Sequence, residues 1–247
     1  MIEAVSVDMK SKSPHCNWKE HAFTRAELLA LLGALALLAL LVLPALANTR
    51  PRSARVMCAN NLRQIGLAMH LWGSDHADRP PWEVPPAEGG TMRHSLAPNA
   101  WYHFAWISNE LTSAQLLFCP SDTGQPARDF SGDPAGGYLH ANFRGRATSY
   151  FLNHTFGSPE WDAGVYSGDR NVTFQSPAVG CPRFTSALSL PVPAGQSVQW
   201  TSGLHGYAGN VMGFDGNVVQ VSSEGLRQRI NSTWDADNGS THVLSPR

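Results

Sequence analysis

Residues 24–72 read TRAELLALLGALALLALLVLPALANTRPRSARVMCANNLRQIGLAMHLW, and the fold turns on whether this stretch is one element or several. From Leu28 to Leu43 no side chain is polar, and the run continues through Pro44, Ala45, Leu46 and Ala47 to make twenty residues. Twenty helical residues at ~1.5 Å each cover ~30 Å, the hydrocarbon thickness of a bilayer. A polar, basic junction follows, from Asn48 to Arg55. Then Cys58, Leu62, Ile65, Met69 and Trp72 recur at spacings of four, three, four and three. They form one stripe of a helix, with Asn60, Asn61, Arg63 and Gln64 off it. The simplest reading is one long helix over about Thr24 to Trp72, bent or interrupted near Pro44 and Pro51, where the backbone lacks a donor. Its first half is apolar all round. Its second half is amphipathic and needs a surface to lie on.

Working outward, residues 1–22 are a polar leader, 23–73 the long helix with its membrane-spanning segment at about 28–47, and 74–247 a globular domain outside the membrane. Residues 79–98 are rich in proline and carry Gly89-Gly90, which reads as a long loop. Beyond it, short aromatic or β-branched runs at Trp101–Ile107, Gln115–Phe118, Thr148–Leu152 and Ser197–Thr201 read as strands. The clearest local signal is GNVMGF-DG-NVVQV at 209–221, a hairpin whose Asp215-Gly216 suits a type I′ turn. The last 25 residues, from Ser223, read as a short helix and then a frayed tail. The fold class expected is α+β, a long helix packed on a small antiparallel sheet.

Lys plus Arg is 18 and Asp plus Glu 19, a net charge of −1, which argues against a nucleic-acid partner. All the lysines (Lys10, Lys12 and Lys19) precede the apolar run, and every later cation is arginine. Eight Trp and ten Phe are enough aromatic material for a core, so the chain is not a disordered one.

Entering the apolar run, the sequence is His21-Ala22-Phe23-Thr24-Arg25-Ala26-Glu27-Leu28-Leu29. This resembles the prepilin signal of type IV pilins and type II secretion pseudopilins. With Phe23 as the first mature residue, Glu27 is the fifth and Pro44 the twenty-second, the positions at which that family places a Glu and a helix-bending Pro. Ala22 stands where the family has Gly, and Arg25-Ala26 where it has an apolar pair. CANNLRQIGLAMHLW (58–72), FCPSD (118–122), and His205 followed after nine residues by Asp215-Gly216 resemble motifs of large bacterial pilin-like families that carry the same signal. The resemblance implies a structural, non-enzymatic pilin-like subunit of a type II secretion or type IV pilus-like filament; no cofactor is expected beyond the calcium that major pseudopilins bind in a C-terminal loop. It implies cleavage between Ala22 and Phe23 by a prepilin peptidase, with methylation of the new terminus. It assigns Glu27 to axial register against a neighbouring subunit's amine, and Pro44 to the bend. Its partners are further pilin-like subunits and the bacterial cytoplasmic membrane, with the C-terminal domain outside.

A secretory signal competes with this reading, since Ala45-Leu46-Ala47 is an A-x-A-like cleavage site. The rival function is a secreted or membrane-anchored domain that binds calcium or a glycan. Asp235 and Asp237, with Asn238 and Gly239, resemble half a calcium loop, but the spacing is short and lacks a downstream Glu. His70, Asp75, His76 and Asp78 cluster without metal-site spacing and read as a solvated helix end. Of the four cysteines none forms a CxxC pair, so a cysteine zinc site is not expected. If the part after residue 47 is exported, one disulfide among Cys58, Cys119 and Cys181 is expected, and Cys58 with Cys119 is the pairing preferred here. His205 and Asp215 are expected to face each other across loop and hairpin as a structural pair.

Overall fold

A computed structural model describes residues 24–154, 164–174, 189–193, 198–231 and 240–246, with side chains at all of these except 44–51, 174, 189–193 and 240. The processing pair Ala22 and Phe23 and the calcium candidates Asp235 and Asp237 lie outside the described residues. The chain forms two compact units, Met1–Ala47 and Asn48–Arg247.

Helix α1 spans Arg25–Ser74. It opens on a reciprocal capping box: the Thr24 amide donates to Glu27 Oε2 at 2.9 Å, and the Glu27 amide donates to Thr24 Oγ1 at 3.3 Å. Two of the four orphan donors of the first turn are thereby satisfied. The segment Arg25–Leu43 is long and apolar enough to cross a membrane, and none of it is buried within the fold. Of the bend or interruption expected near Pro44 and Pro51, the interruption is absent, because the helix runs through both. Each proline deletes one backbone bond, and the turns on either side carry the helix past it.

In the second unit the predicted stripe is buried as read: Cys58, Leu62 and Ile65 are fully buried, Met69 is 2% exposed and Trp72 6%. The surface it covers is a six-stranded sheet. Its strands are β1 (Tyr150–Asn153), β2 (Val165–Asp169), β4 (Ser189–Pro193), β6 (Gly209–Gly213), β7 (Val218–Val221) and β8 (Ser240–Leu244), and β3 (Val172–Phe174) pairs separately with β5 (Val198–Trp200). The order across the large sheet is β4-β8-β1-β2-β6-β7, with every pair antiparallel. The α+β architecture expected from the sequence is therefore the one found.

The central strands are buried on both faces, and their period of two sorts the side chains into two cores. Tyr150, Leu152, Met212 and Leu244 face the core that contains the α1 stripe. Phe151, Val211 and Val243 face a second core with Trp200, Leu226 and Ile230, supplied by β5 and by α3 (Ser223–Asn231). α1 approaches the sheet closely: a Cβ at Gly66 would meet the sulfur of Met212 at 2.5 Å.

Four expectations are corrected. Trp101–Ile107 is not a strand, since Ala100–Trp106 forms the short helix α2. Ala100, His103, Phe104 and Ile107 are buried at i, i+3, i+4 and i+7, a helical face that aromatic content had masked. Gln115–Phe118 is not a strand either. Ala114–Leu117 is a 3-10 turn whose preceding Ser113 accepts the Gln115 amide. The chain end does not fray after α3 but returns as β8, between β4 and β1. The hairpin at 209–221 is present, but its turn is not type I′. Gly216 has φ +77° while Asp215 is not left-handed. Gly216 donates to Gly213 O at 3.1 Å and Gly213 to Asn217 O at 3.0 Å, a three-residue loop closed by a glycine bulge. The proline-rich stretch 79–98 holds two 3-10 turns and buries Trp82 and Val84.

Candidate functional site

The motifs that lie far apart in sequence meet at one place. Cys58, on the buried stripe of α1, is disulfide-bonded to Cys119 with their Cα atoms 5.2 Å apart, the pairing expected. One turn further along α1, Asn61 Nδ2 donates to Phe118 O at 3.1 Å. Cys119 N donates to Ser149 Oγ at 3.0 Å, and that hydroxyl donates to Asp122 Oδ2 at 2.6 Å. Asp122 also takes Arg170 Nη2 at 2.6 Å. The Cys-Pro-Ser-Asp segment is thus tied to helix α1 by a covalent bond and to the flanks of β1 and β2 by charge-assisted hydrogen bonds.

His205 sits on the loop between β5 and β6. Its Nε2 lies 3.6 Å from Cys119 Sγ and 3.5 Å from Asp169 Oδ2, and the side chains of His205 and Asp169 are 1% exposed or less. The expected partner was Asp215, and the structure corrects this. Asp215 instead closes its own turn, accepting from Asn217 N at 3.0 Å and from Asn217 Nδ2 at 2.5 Å. Asp169, at the end of β2, takes its place. Asp169 Oδ2 accepts from Asn210 N at 2.6 Å and Asn210 Nδ2 at 3.1 Å, while Oδ1 is buried without a partner among the described residues.

The loop that delivers His205 is backbone-strained. Leu204, Gly206 and Tyr207 have φ of +53°, +59° and +57°, the left-handed region that bulky residues avoid. Asn171 holds it in that shape, its Nδ2 lying within hydrogen-bond distance of the carbonyls of Thr201, Gly203 and Ala208. Arg55 Nη2 donates to His205 O at 2.6 Å, so α1 grips the same loop. Strain of this kind persists only where the surroundings over-determine it.

Burial sets the electrostatics. It pushes the Asp169 carboxyl up to about 7, against the pull of the Asn210 hydrogen bonds and of Arg55. It pushes His205 down to about 4, with Arg55 adding to the fall. Between those limits the pair holds one proton and no net charge, the inexpensive state for a dry site. With the disulfide closed, the site offers no thiolate and no exposed base; what it does is clamp α1, the 114–122 segment and the β5–β6 loop together.

The nine-residue motif divides into two structural tasks. His205 completes the disulfide cluster, while Gly216 at the hairpin tip lies beside His70, where an added Cβ would stand 3.6 Å from Nε2. Both hold β6 to α1. Of the expected solvated helix end, His70, Asp75 and Asp78 are exposed, whereas His76 is half-buried and stacks on Trp72 at 3.7 Å. The residues that sequence reasoning missed are Arg55, Asp169, Arg170, Asn171 and Asn210, and it gave Asp122 no role beyond its place in the Cys-Pro-Ser-Asp motif. For Asp169 a signal existed, since a carboxylate ends a strand otherwise made of small and apolar residues. For the rest, partners more than 20 residues away carry the meaning.

Other titratable groups are buried. His103 is fully buried, with Nδ1 3.1 Å from Thr91 Oγ1 and Nε2 2.7 Å from Ala97 O. Its ring packs 5.0 Å from that of His154, and both lie 5.4 Å from Trp82. Burial lowers His103 to about 4 and His154 well below the ordinary value, the latter also through His103 and His242. At the end of α1, Met69, His70, Asp78, Arg79, Tyr166 and Phe214 line most of an open cleft of about 460 Å³.

Residues 49–108 match the model of a protein family described as protein of unknown function (DUF1559). The match takes in the amphipathic half of α1, the proline-rich stretch and α2, about a quarter of the chain. No curated protein and no solved structure matches the chain.

Proposed function

We propose that this chain is a membrane-anchored, pilin-like structural subunit of a type II secretion or type IV pilus-like filament, and not an enzyme. The observation that carries the reading is α1: one helix whose Arg25–Leu43 segment is apolar and unburied, and whose second half is the spine of a folded domain. A chain built this way has a use for an apolar helix beyond anchoring, because identical helices can pack side by side. The Cys58–Cys119 disulfide supports a domain residing in an oxidising compartment, outside the cytoplasm. The prepilin-like stretch 21–29 and the motifs at 58–72, 118–122 and 205–216, which resemble those of pilin-like families, support the same reading. The partners of this reading are further pilin-like subunits, met through α1, and a prepilin peptidase acting between Ala22 and Phe23.

Glu27 provides the test, because its two roles separate. As a cap it needs an acceptor oxygen, which Gln also has. As a register charge against a neighbouring amine it needs ionisation. A Glu27→Gln strain is expected to make anchored protein at wild-type levels yet fail to place it in filaments, and Glu27→Ala to fail likewise. Wild-type secretion and filament incorporation in both strains would overturn the proposal. A second reading, a ligand-binding domain, draws on the cleft beside Tyr166 and Phe214, an aromatic-walled concavity suited to a glycan. Titration with cell-wall glycan fragments distinguishes it, since a filament subunit needs no such affinity.

A further inference from the structure

Cys58 Sγ, Cys119 Sγ and His205 Nε2 lie within 4.8 Å of one another, and all three residues are buried. Asp169 Oδ2 adds a fourth donor 3.5 Å from Nε2. In a tetrahedral zinc site with ordinary bond lengths, the sulfur–nitrogen edge is about 3.6 Å and the nitrogen–oxygen edge about 3.4 Å. The cluster shows 3.6 Å for His205 to Cys119 and 3.5 Å for His205 to Asp169. The sulfur–sulfur separation is that of a covalent bond, and Asp169 stands outside the group of three whose donor atoms lie within 4.8 Å of one another, so opening the disulfide must bring a sulfur toward the carboxylate.

We propose that reductive opening of the Cys58–Cys119 disulfide converts this cluster into a four-coordinate site, two thiolates with one imidazole and one carboxylate, for a borderline divalent cation of the zinc type. In the first step a dithiol reductant becomes a disulfide, and two electrons and two protons pass to the sulfurs, giving two thiols. In the second, the cation binds both sulfurs as thiolates and Asp169 as a carboxylate, and the two thiol protons, together with the proton held by the His205–Asp169 pair, leave to the buffer. His205 donates the Nε2 lone pair, which its neutral form has free. Two thiolates and a carboxylate carry three negative charges. A divalent cation leaves one, and the Arg55 guanidinium, which donates to His205 O, balances it. Asp169 Oδ2 is the oxygen near His205, and Oδ1, buried without a partner among the described residues, would join it on such a cation.

Access is through the strained loop. Ser202, Gly203, Gly206 and Tyr207 around His205 are exposed, so the cluster lies one layer beneath solvent. Lifting 204–207 also releases the left-handed backbone at Leu204 and Tyr207. The sequence pointed away from a cysteine metal site because no CxxC spacing exists. The ligands come instead from α1, from the segment after the 3-10 turn, from β2 and from a loop. The proposal needs no filament and stands apart from that reading.

The test uses the full chain in detergent with Cys16 and Cys181 replaced by serine, so that any thiolate signal comes from Cys58 and Cys119. Cobalt(II) is the probe, added without oxygen before and after reduction by a dithiol. The dithiol is removed before the metal is added. The expected result is one cobalt per reduced chain, with a thiolate-to-cobalt charge-transfer band and the intense d–d bands of a tetrahedral site, displaced by zinc and absent from the oxidised protein. His205→Gln is expected to weaken cobalt binding roughly tenfold or more and to alter the d–d bands, and Asp169→Asn to shift the d–d bands. Circular dichroism of each reduced sample shows whether the fold is kept. The proposal is overturned if the folded, reduced chain takes up no cobalt with thiolate bands. It is equally overturned if His205→Gln binds cobalt with the parent's spectrum and affinity, or if the reduced chain has lost its fold and cobalt does not restore it.

Discussion

A buried neutral histidine makes a fold sensitive to acid. His103 titrates at about 4 in the folded chain against about 6.5 when unfolded, because burial penalises its charged form. The unfolded chain therefore binds the extra proton first, and stability present above pH 6.5 is lost as pH falls toward 4. His154 acts in the same sense. Asp169 has the opposite sign, its contribution lost as pH rises through 7, and it offsets His205 over most of this window. The net fall should thus report His103 and His154. Thermal unfolding of the chain between pH 7 and 4 is expected to drop steeply, and less steeply in His103→Gln; an equally steep drop in the variant contradicts the assignment. Gly216 makes a second residue-scale case. At φ +77° a β-branched side chain is strained, although there is room for a Cβ beside His70. Gly216→Val is expected to cost about 1 kcal/mol or more, seen as a lowered melting temperature, and an unchanged melt contradicts it.

Among the elements, α1 carries the most. Leu62 is fully buried against the sheet, so Leu62→Asp places an unpaired charge in the core. A chain beginning at Asn48 and carrying this change is expected to lose its strand signal in circular dichroism, whereas the same chain unaltered keeps it. The disulfide closes a loop across 61 positions between α1 and the segment after the 3-10 turn. Chain-entropy reasoning gives such a loop about 4 kcal/mol. Cys58→Ser should therefore lower the denaturant midpoint markedly and steepen the slope, since the freed denatured chain exposes more surface, and a midpoint equal to the parent's would show the link to be dispensable. α2 shows why element type was misread: Trp, Tyr and Phe favour strands only through what they pack against, and here they pack as a helical face.

For the whole molecule the open matter is where the mature chain starts. A prepilin cut leaves the apolar helix on the domain, and a secretory cut after Ala47 removes it. Anchoring is the expected outcome, because Thr24 and Glu27 cap a helix that a discarded signal peptide would not need to keep. Mass spectrometry of the N-terminus from the native host is expected to find Phe23. Asn48 would make the protein a secreted one, and Met1 an unprocessed single-span protein.

The sequence by itself determined the long helix, its apolar half and its buried stripe, because helical periodicity is a local property that neighbouring residues impose on one another. The hairpin at 209–221 was legible for the same reason, and Gly216 was the right residue to single out there, since it alone in that turn carries a positive φ. Cys58 with Cys119 could be named as a pair, but not what surrounds it. Only the tertiary structure decided that His205 meets Asp169 rather than Asp215, that Arg55 and Asn171 hold the loop between β5 and β6, and that the last strand enters the sheet beside β1. Those choices depend on which distant segments share the same buried volume. A polar side chain's partner there is set by geometry and desolvation, and neither is written in the spacing of residues along the chain.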